Sequence, residues 1–332
     1  MELRDRRIVV TGGAGFIGSH VVDKLIAASN EVVVIDDLST GSLENLAAAR
    51  AAGTVCFEEA DIRDAAAMAE LIRGADLVLH MAVACVRTSL NDPEFVHDVN
   101  ASGTLNVCLA AQRNGIERLV YVSSSEAYGS AQYVPMDEGH PMDPTTVYGA
   151  SKLVGEVYAL AMQRTYGTDV TVIRPFNSYG PREPHEGKRA EVIPKFVLRT
   201  LAGDRPVIFG DGSQTRDFTW VEDTAEGIIA AAASDKLVGE RVNLARGQEV
   251  SIASLARKVL DVLGHPELDP VFDDPRPGDV DRLFADTTKA NALIGWEPSC
   301  SIDEGLGRYV EWLSGQGVDP SDWLRRETTR NW

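Results

Sequence analysis

The stretch Ile8-Val9-Val10-Thr11-Gly12-Gly13-Ala14-Gly15-Phe16-Ile17-Gly18 constrains this chain more than any other. Three apolar residues suited to a buried strand run into a turn with glycines at 12, 15 and 18, and the apolar-periodic segment Ser19 to Ala28 predicts a helix behind it. Glycines let the backbone turn tightly and approach a ligand, and free N–H groups at a helix start face negative charge, so the arrangement is a seat for a diphosphate. Glu31 to Ile35 predicts a second strand that ends in Asp36, 18 residues after Gly18. A carboxylate there accepts both hydroxyls of an adenosine ribose and repels a 2′-phosphate, which points to NAD rather than NADP. A glycine triplet alone would be weak evidence; strand, triplet, helix, strand and acid in register are specific.

Strand and helix keep alternating beyond Asp36. Leu38 to Gly41 reads as a loop, Leu43 to Ala52 as a helix, Val55 to Phe57 as a strand running into Asp61-Ile62, Ala65 to Arg73 as a helix and Ala75 to Met81 as a strand. A helix is expected from Asp92-Pro93 through Asn100 to Asn114, a strand over Arg118 to Ser123, a helix from Thr145 to Tyr166 closed by Gly167, and a strand over Val170 to Arg174. Such alternation implies an α/β fold, a parallel sheet with helices on both faces. Ligands of such sheets lie at the carboxyl ends of strands, which puts Asp61 and Ile62 near the adenine and Met81-Ala82-Val83-Ala84 near the pyrophosphate and nicotinamide ribose. After Asn177 the alternation weakens into a charged loop, Pro181 to Arg189, then a helix from Val192 to Ala202 and an Ala-rich helix from Thr224 to Ser234 that returns to the first domain. The first domain is thus expected over 1–177 with a return of 205–240, and a smaller lobe over 178–204 and 241–332.

A length of 332 residues allows one large α/β domain or two sharing a cleft. The net charge of −18 argues against a general nucleic-acid or anionic-membrane surface, so an anionic ligand must be held by locally placed arginines and lysines. Cys56, Cys85, Cys108 and Cys300 are scattered with no CxxC and no histidine pairing, which suggests reduced thiols and no metal site. With no 18-residue apolar run and no cleavable leader before the first strand, a cytoplasmic protein is expected.

The chemistry-bearing pattern is Tyr148-Gly149-Ala150-Ser151-Lys152, with Tyr148 and Lys152 one helical turn apart on one face. A free tyrosine is a poor base at neutral pH, but an adjacent ammonium and a positive nicotinamide ring both favour phenolate. Tyr148 can then take the proton of a substrate hydroxyl as hydride leaves the same carbon, with Ser124 sharing hydrogen bonds with that hydroxyl and Lys152 steadying the nicotinamide ribose.

The chain resembles the extended short-chain dehydrogenase/reductases that modify nucleotide sugars, over essentially its full length. The motifs that carry the resemblance are Thr11 to Gly18, Asp61-Ile62, His80-Met81-Ala82, Asn100, Ser123 to Gly129, Tyr148 to Lys152, Arg174 to Asn177, Gly180-Pro181-Arg182, Arg216-Asp217-Phe218 and Arg276-Pro277-Gly278. Met81 and Val83 replace the family's usual Leu and Ala around His80. The resemblance implies a Rossmann-type doubly wound parallel sheet, a smaller C-terminal α/β lobe for the sugar nucleotide, and NAD recycled within each turnover. It implies cofactor contacts at Gly12, Gly15, Phe16, Ile17 and Gly18; at Asp36, Asp37, Leu38, Ser39, Thr40 and Gly41; and at Asp61, Ile62, Met81, Ala82, Val83, Asn100, Ser123, Tyr148, Lys152, Pro175 and Asn177. It also implies that Asn177, Arg216 and Arg276 bind the substrate diphosphate, Val192 and Phe196 the nucleobase and Asn243 the nucleotide, and that the chain pairs as a homodimer.

All such enzymes begin by oxidising C4 of the sugar, so the reaction depends on what the ketone is used for. Look-alike 4-epimerases carry a small or apolar residue where Glu126 stands. Look-alike 4,6-dehydratases use a glutamate here to remove the C5 proton, often beside an Asp that is Ser125 in this chain. The Ser-Ser-Glu run at 124–126 is closer to the Thr-Ser-Glu of UDP-glucuronate decarboxylases. A glucuronate carboxylate is β to the ketone, and its loss needs a cation and a proton source; Arg87, Arg182, Lys188 and Arg189 can supply the cation. Decarboxylation of UDP-glucuronate to a UDP-4-keto-pentose or UDP-xylose is therefore the leading expectation. The alternatives are 4-epimerisation of a UDP-sugar, 4,6-dehydration of a hexose and, in another class, a non-catalytic NAD-binding regulator, whose usual mark would be a lost Tyr148 or Lys152.

Overall fold

The computed structural model describes residues 1–330, apart from the side chain of Lys188. β1 (Arg7–Thr11), α1 (Phe16–Ala27) and β2 (Glu31–Asp36) form the expected strand, turn, helix and strand, with α1 starting at Phe16 rather than Ser19. Leu43–Leu46 is a 3-10 turn ahead of α2 (Ala47–Ala52), and β3 (Val55–Glu59), α3 (Ala65–Leu71) and β4 (Leu77–His80) follow. α4 (Val86–Asn91) was not expected, because Asp92-Pro93 reads as the start of a helix rather than the boundary between two. α5 (Pro93–His97) and α6 (Thr104–Asn114) are separated by a π-helical turn over Asp98–Gly103, where one helix from Asp92 to Asn114 was expected. That turn places Asn100 against the end of β4: its Nδ2 donates to the Ala84 carbonyl at 2.9 Å and the Ser151 hydroxyl at 3.1 Å, and its Oδ1 accepts from the Ala84 N–H at 2.8 Å. β5 (Arg118–Val122) leads to α7 (Val147–Tyr166), which opens on the Thr146 hydroxyl and closes at left-handed Gly167, and then to β6 (Asp169–Pro175).

The remaining elements are β7 (Asn177–Tyr179), α8 (Val192–Leu201), β8 (Val207–Phe209), β9 (Thr215–Trp220), α9 (Val221–Ala233), β10 (Arg241–Leu244), β11 (Glu249–Ser251), α10 (Ile252–Val262), β12 (Val271–Asp273), α11 (Thr288–Ile294), α12 (Ile302–Ser314) and α13 (Pro320–Arg326). Seven strands make the main sheet in the order β10-β6-β5-β4-β1-β2-β3, and every neighbouring pair is parallel. β11-β9-β7 and β12-β8 form two small sheets. The return to the main sheet is therefore α9 and β10, so the expected boundary at 240 falls one strand early, while residues 207–220 feed the small sheets. α11 also packs on the main-sheet core through Ala290, Leu293 and Ile294, although it lies within the segment assigned to the lobe.

Alternation along the buried strands sorts the core. Ile8, Val10, Val32, Val34, Leu77 and Leu79 face α1 and α9 with Val21, Leu25, Ala225 and Ile228. Val9, Val33, Ile35, Val78, Leu119 and Tyr121 face the opposite layer with Met68, Val107, Ala111, Ala159 and Leu160. Strand order reverses beside β1, so the cleft at the carboxyl ends of β1 and β4 is the topological switch point. No helix of the described residues is long and apolar enough to cross a membrane, and Cys56, Cys85, Cys108 and Cys300 are all free.

α7 comes unusually near β5 because a Cβ on Gly155 would run into the Tyr121 ring and hydroxyl. Gly155→Ala is expected to lower stability by about 1–3 kcal/mol through overpacking, read as a fall in the urea midpoint at constant slope.

Candidate active site

The glycine turn fits a dinucleotide on its own geometry. Gly12 has φ +70°, and a Cβ there would stand 2.7 Å from the Ala82 backbone, so a side chain is excluded both by conformation and by space. Gly15 caps α1 with no side-chain hydrogen bond and no acid lies in the first turn, which leaves the first N–H groups for an anion. Phe16, Ile17 and Gly18 form that turn. Asp36, at the end of β2, accepts from the Ala14 and Leu38 N–H groups, each at 2.9 Å, which locks the turn and the 37–41 loop around one carboxylate. Burial pushes the Asp36 carboxyl up, with the two N–H groups opposing. Asp37 holds Ser39 through its N–H at 2.9 Å and its hydroxyl at 2.6 Å; Leu38 is half-buried, and Thr40 is exposed ahead of Gly41.

The end of β4 is fixed by a buried hydrogen-bond chain. The Thr104 hydroxyl donates to the Asn100 carbonyl at 2.6 Å, so it accepts from His80 Nε2 at 2.9 Å, and His80 Nδ1 accepts from the Thr11 hydroxyl at 2.7 Å. Burial, with the nearby Lys152 charge, pulls His80 down to about 3, which keeps the ring neutral for this role. Thr11 Oγ1 then accepts from the N–H groups of Met81 at 3.1 Å and Ala82 at 3.2 Å. Met81, Ala82 and half-buried Val83 are thereby set beside Gly12. Asp61 pairs with Arg63 at 2.5 Å, and the Ile62 side chain is buried in the core, so any contact of Ile62 with a cofactor comes from its backbone.

Tyr148, Lys152, Ser124 and Glu126 converge where α7 meets the end of β5. Ser124 hydrogen-bonds the Tyr148 phenol, and its Oγ accepts the Glu126 N–H at 3.2 Å. Ser123 and Ser125 on either side are buried, Ser123 through its hydroxyl bond to Glu156. Lys152 Nζ donates to the Val122 carbonyl at 2.7 Å and lies 4.5 Å from the centre of the Tyr121 ring. Burial pulls Lys152 down to about 7, with Glu156 opposing. Burial pushes the Tyr148 phenol well above the ordinary tyrosine range; Ser124 opposes this, and Glu126, Cys85 and Glu191 add to it. Of the two groups expected to favour phenolate, the ammonium and the nicotinamide ring, the first is outweighed by burial, so the chain's own groups favour the phenol. When bound, oxidised NAD supplies the hydride acceptor and a positive ring that favours the phenolate.

Arg216 and Arg276, expected to share a ligand, meet at Asp279. Arg216 donates to Asp279 at 2.6 Å and to the Val280 carbonyl at 2.6 Å, and Arg276 reaches the same Asp279 oxygen. Asn177, at the start of β7, has a buried Oδ1 with no partner, an acceptor left for a ligand; Pro175 ends β6 just before it. Burial pushes the Glu126 carboxyl up, and Arg216 and Arg276 oppose that push.

Other expected roles are corrected. Arg182 is drawn away to Asp23 on α1, 2.8 Å from its carboxylate, and His20 on α1 bonds the Pro181 carbonyl at 2.9 Å. Arg87 is buried and paired bidentately with Glu191, at the cap of α8, with one of its two bonds 2.5 Å long. Arg189 is exposed and lines, with Cys85, Arg87, Thr88, Asn91 and Arg326, a cavity of about 670 Å³. The Lys188 side chain lies outside the described residues. Phe196 is buried in the lobe core and offers no free face for a base, while Val192 packs against that core and is half-buried. Asn243 is fully buried: it accepts from the Tyr128 hydroxyl at 2.7 Å and donates to the Met136 carbonyl at 3.0 Å, which leaves it a structural role. Sequence reasoning missed Glu191, Asp279 and Glu156; Glu156 had a signal, four residues beyond Lys152 on the same face.

A parallel sheet with a dinucleotide turn at its switch point and a Ser, Tyr and Lys set beside it is the arrangement of a nicotinamide-dependent enzyme that oxidises an alcohol. The chain belongs to the NAD dependent epimerase/dehydratase family, whose model matches residues 8–245. It is 38% identical over 310 residues to a UDP-glucose 4-epimerase of Mycolicibacterium smegmatis, covering 92% of this chain and 98% of that one. It is 34% identical over 323 residues to UDP-glucuronic acid decarboxylase 1 of Xenopus tropicalis, covering 93% of this chain and 72% of that one. Among solved structures, UDP-glucose 4-epimerase of Thermotoga maritima with UDP-glucose superposes with TM-score 0.88 at 35% identity, covering 93% of this chain and 99% of that one. The family comprises nucleotide-sugar epimerases, dehydratases and decarboxylases, and NAD is its cofactor.

Tyr148→Phe is expected to keep NAD binding and lower turnover by roughly 10²–10⁴-fold, read by steady-state rates beside cofactor titration. Asn243→Ala is expected to cost about 1–3 kcal/mol of stability by leaving Tyr128 and Met136 unpaired, without weakening UDP binding measured calorimetrically.

Proposed function

We propose that this chain is a UDP-sugar 4-epimerase that acts on a neutral hexose, oxidising C4 through Tyr148, letting the ketone turn over and returning hydride to its other face. The observation that carries this reading is charge pairing. Of the cations expected to hold a sugar carboxylate, Arg182 is paired with Asp23 and Arg87 with Glu191, while Arg189 is exposed. Decarboxylation, favoured on the Ser-Ser-Glu run, loses the support of Arg87 and Arg182. The 38% identity to a UDP-glucose 4-epimerase supports the same choice.

Ser124 and Tyr148 hold and move the proton of the C4 hydroxyl, Lys152 supports the charge, and Arg216 and Arg276, oriented by Asp279, hold the diphosphate with the amide nitrogen of Asn177. A second reading, 4,6-dehydration, is favoured by the buried placement of Glu126 beside Tyr148. Against it, Ser125 stands where such dehydratases often carry an Asp, and a serine lacks the acidity to release a C6 hydroxyl. A homodimer belongs to the same proposal, since Val157 and Tyr166 on α7 are each more than half exposed.

The test is incubation with UDP-glucose, UDP-glucuronate and dTDP-glucose, followed by mass spectrometry and proton NMR. UDP-galactose at unchanged mass is expected from UDP-glucose, and Glu126→Gln is expected to keep most of that activity. Carbon dioxide released from UDP-glucuronate, or water lost from a hexose in a reaction that Glu126→Gln abolishes, would replace the epimerase reading.

A further inference from the structure

α7 places Tyr148, Lys152 and Glu156 one turn apart along one face, and the chemistry above uses the first two. Glu156 is fully buried. Burial pushes its carboxyl up, but Arg174, Ser123 and Arg241 outweigh that and hold it as a carboxylate. Its two oxygens gather three strand ends. Ser123, just past β5, donates its hydroxyl at 2.6 Å; Arg174 of β6 donates through Nε at 2.8 Å and Nη2 at 2.6 Å; and Arg241 of β10 donates at 3.1 Å. Arg174 Nη1 continues to the Tyr128 hydroxyl at 2.7 Å, in the loop that carries Ser124 and Glu126. On the preceding turn of α7, Lys152 Nζ bonds the carbonyl of Val122, the neighbour of Ser123. Strand packing alone does not require a carboxylate one turn from a buried ammonium.

We propose that Glu156 is a positioning residue for the Tyr148 and Lys152 pair: bonded to Ser123, Arg174 and Arg241, its carboxylate ties α7 to the ends of β5, β6 and β10 one helical turn beyond Lys152. The groups facing Lys152 come from every element packed on it. His80 of β4 is neutral, Tyr121 of β5 is a buried phenol, Cys108 of α6 behind that ring is a thiol pushed up to about 12 by burial, and Tyr148 of α7 is a phenol. Arg174 of β6 and Arg241 of β10 add two cations, both paired with Glu156, so this one carboxylate offsets the arginines as well as opposing the burial that draws Lys152 down to about 7. Removing it lowers Lys152 further, so less ammonium is left at neutral pH.

The inference rests on the dyad's role in the C4 chemistry, so its test reads Lys152 without substrate. Lysine-labelled protein, with and without NAD, is titrated by NMR, and the Lys152 signal is assigned from a Lys152→Met spectrum. Glu156→Gln is expected to lower the Lys152 midpoint by about one pH unit, Glu156→Asp to keep it near the parent value, and the basic limb of UDP-glucose turnover to move down in Glu156→Gln with KM unchanged. An unshifted Lys152 midpoint in folded Glu156→Gln overturns the proposal whatever the turnover does. If the single variant does not fold, Arg174→Gln is read instead: it leaves the carboxylate with one competing cation fewer, the Lys152 midpoint is expected to rise, and no rise overturns the proposal. A shifted midpoint with no turnover of UDP-glucose leaves this inference standing and removes the epimerase reading.

Discussion

Burying an ammonium group costs several kcal/mol unless hydrogen bonds and opposite charge offset it, and the site is arranged around meeting that demand for Lys152. The Val122 carbonyl at 2.7 Å and the face of Tyr121 at 4.5 Å take the head of the side chain. Both contacts need α7 to lie close on β5, which the missing side chain at Gly155 permits. The same approach brings Tyr148 to Ser124. Catalytic geometry here is thus a consequence of helix-to-strand distance, set by a glycine and a buried charge rather than by flexible loops.

Polar groups at the carboxyl ends of the strands are used sparingly and each has a partner of matching character. Neutral His80 joins Thr11 to Thr104 and sets the backbone of Met81 and Ala82. Asp36 closes the first turn on itself, and Asp279 draws two arginines together at the other side of the cleft. Asn177 Oδ1 is the contrast, a buried acceptor without a partner, and buried acceptors of that kind are found where a ligand completes the set.

The main sheet was legible because β1, β2, β4, β5 and β6 are runs of Val, Ile and Leu bounded by turn residues, a pattern that local physics enforces. The dinucleotide turn and the Tyr148, Ser124 and Lys152 set were legible for the same reason: backbone conformation and helical spacing are local. What escaped was set by distant partners. The π-helical turn at Asp98–Gly103 exists to bring Asn100 to Ala84 and Ser151, and no periodicity announces it. Arg182 reads as a free loop cation until Asp23, far away in sequence, is seen beside it. β7, β8, β11 and β12 are three residues each, too short for alternation to mark them. β10 was assigned to the wrong unit because a four-residue edge strand carries no sign of which sheet it joins.

α1 touches both halves of the cleft. Its first turn, free of side-chain caps, faces the diphosphate seat, while His20 and Asp23, farther along it, grip Pro181 and Arg182 at the entry to the lobe. A rod held at both ends transmits tilt. The glycine turn at its front and the Pro181–Arg182 turn beside it are therefore kept in one register by a single helix.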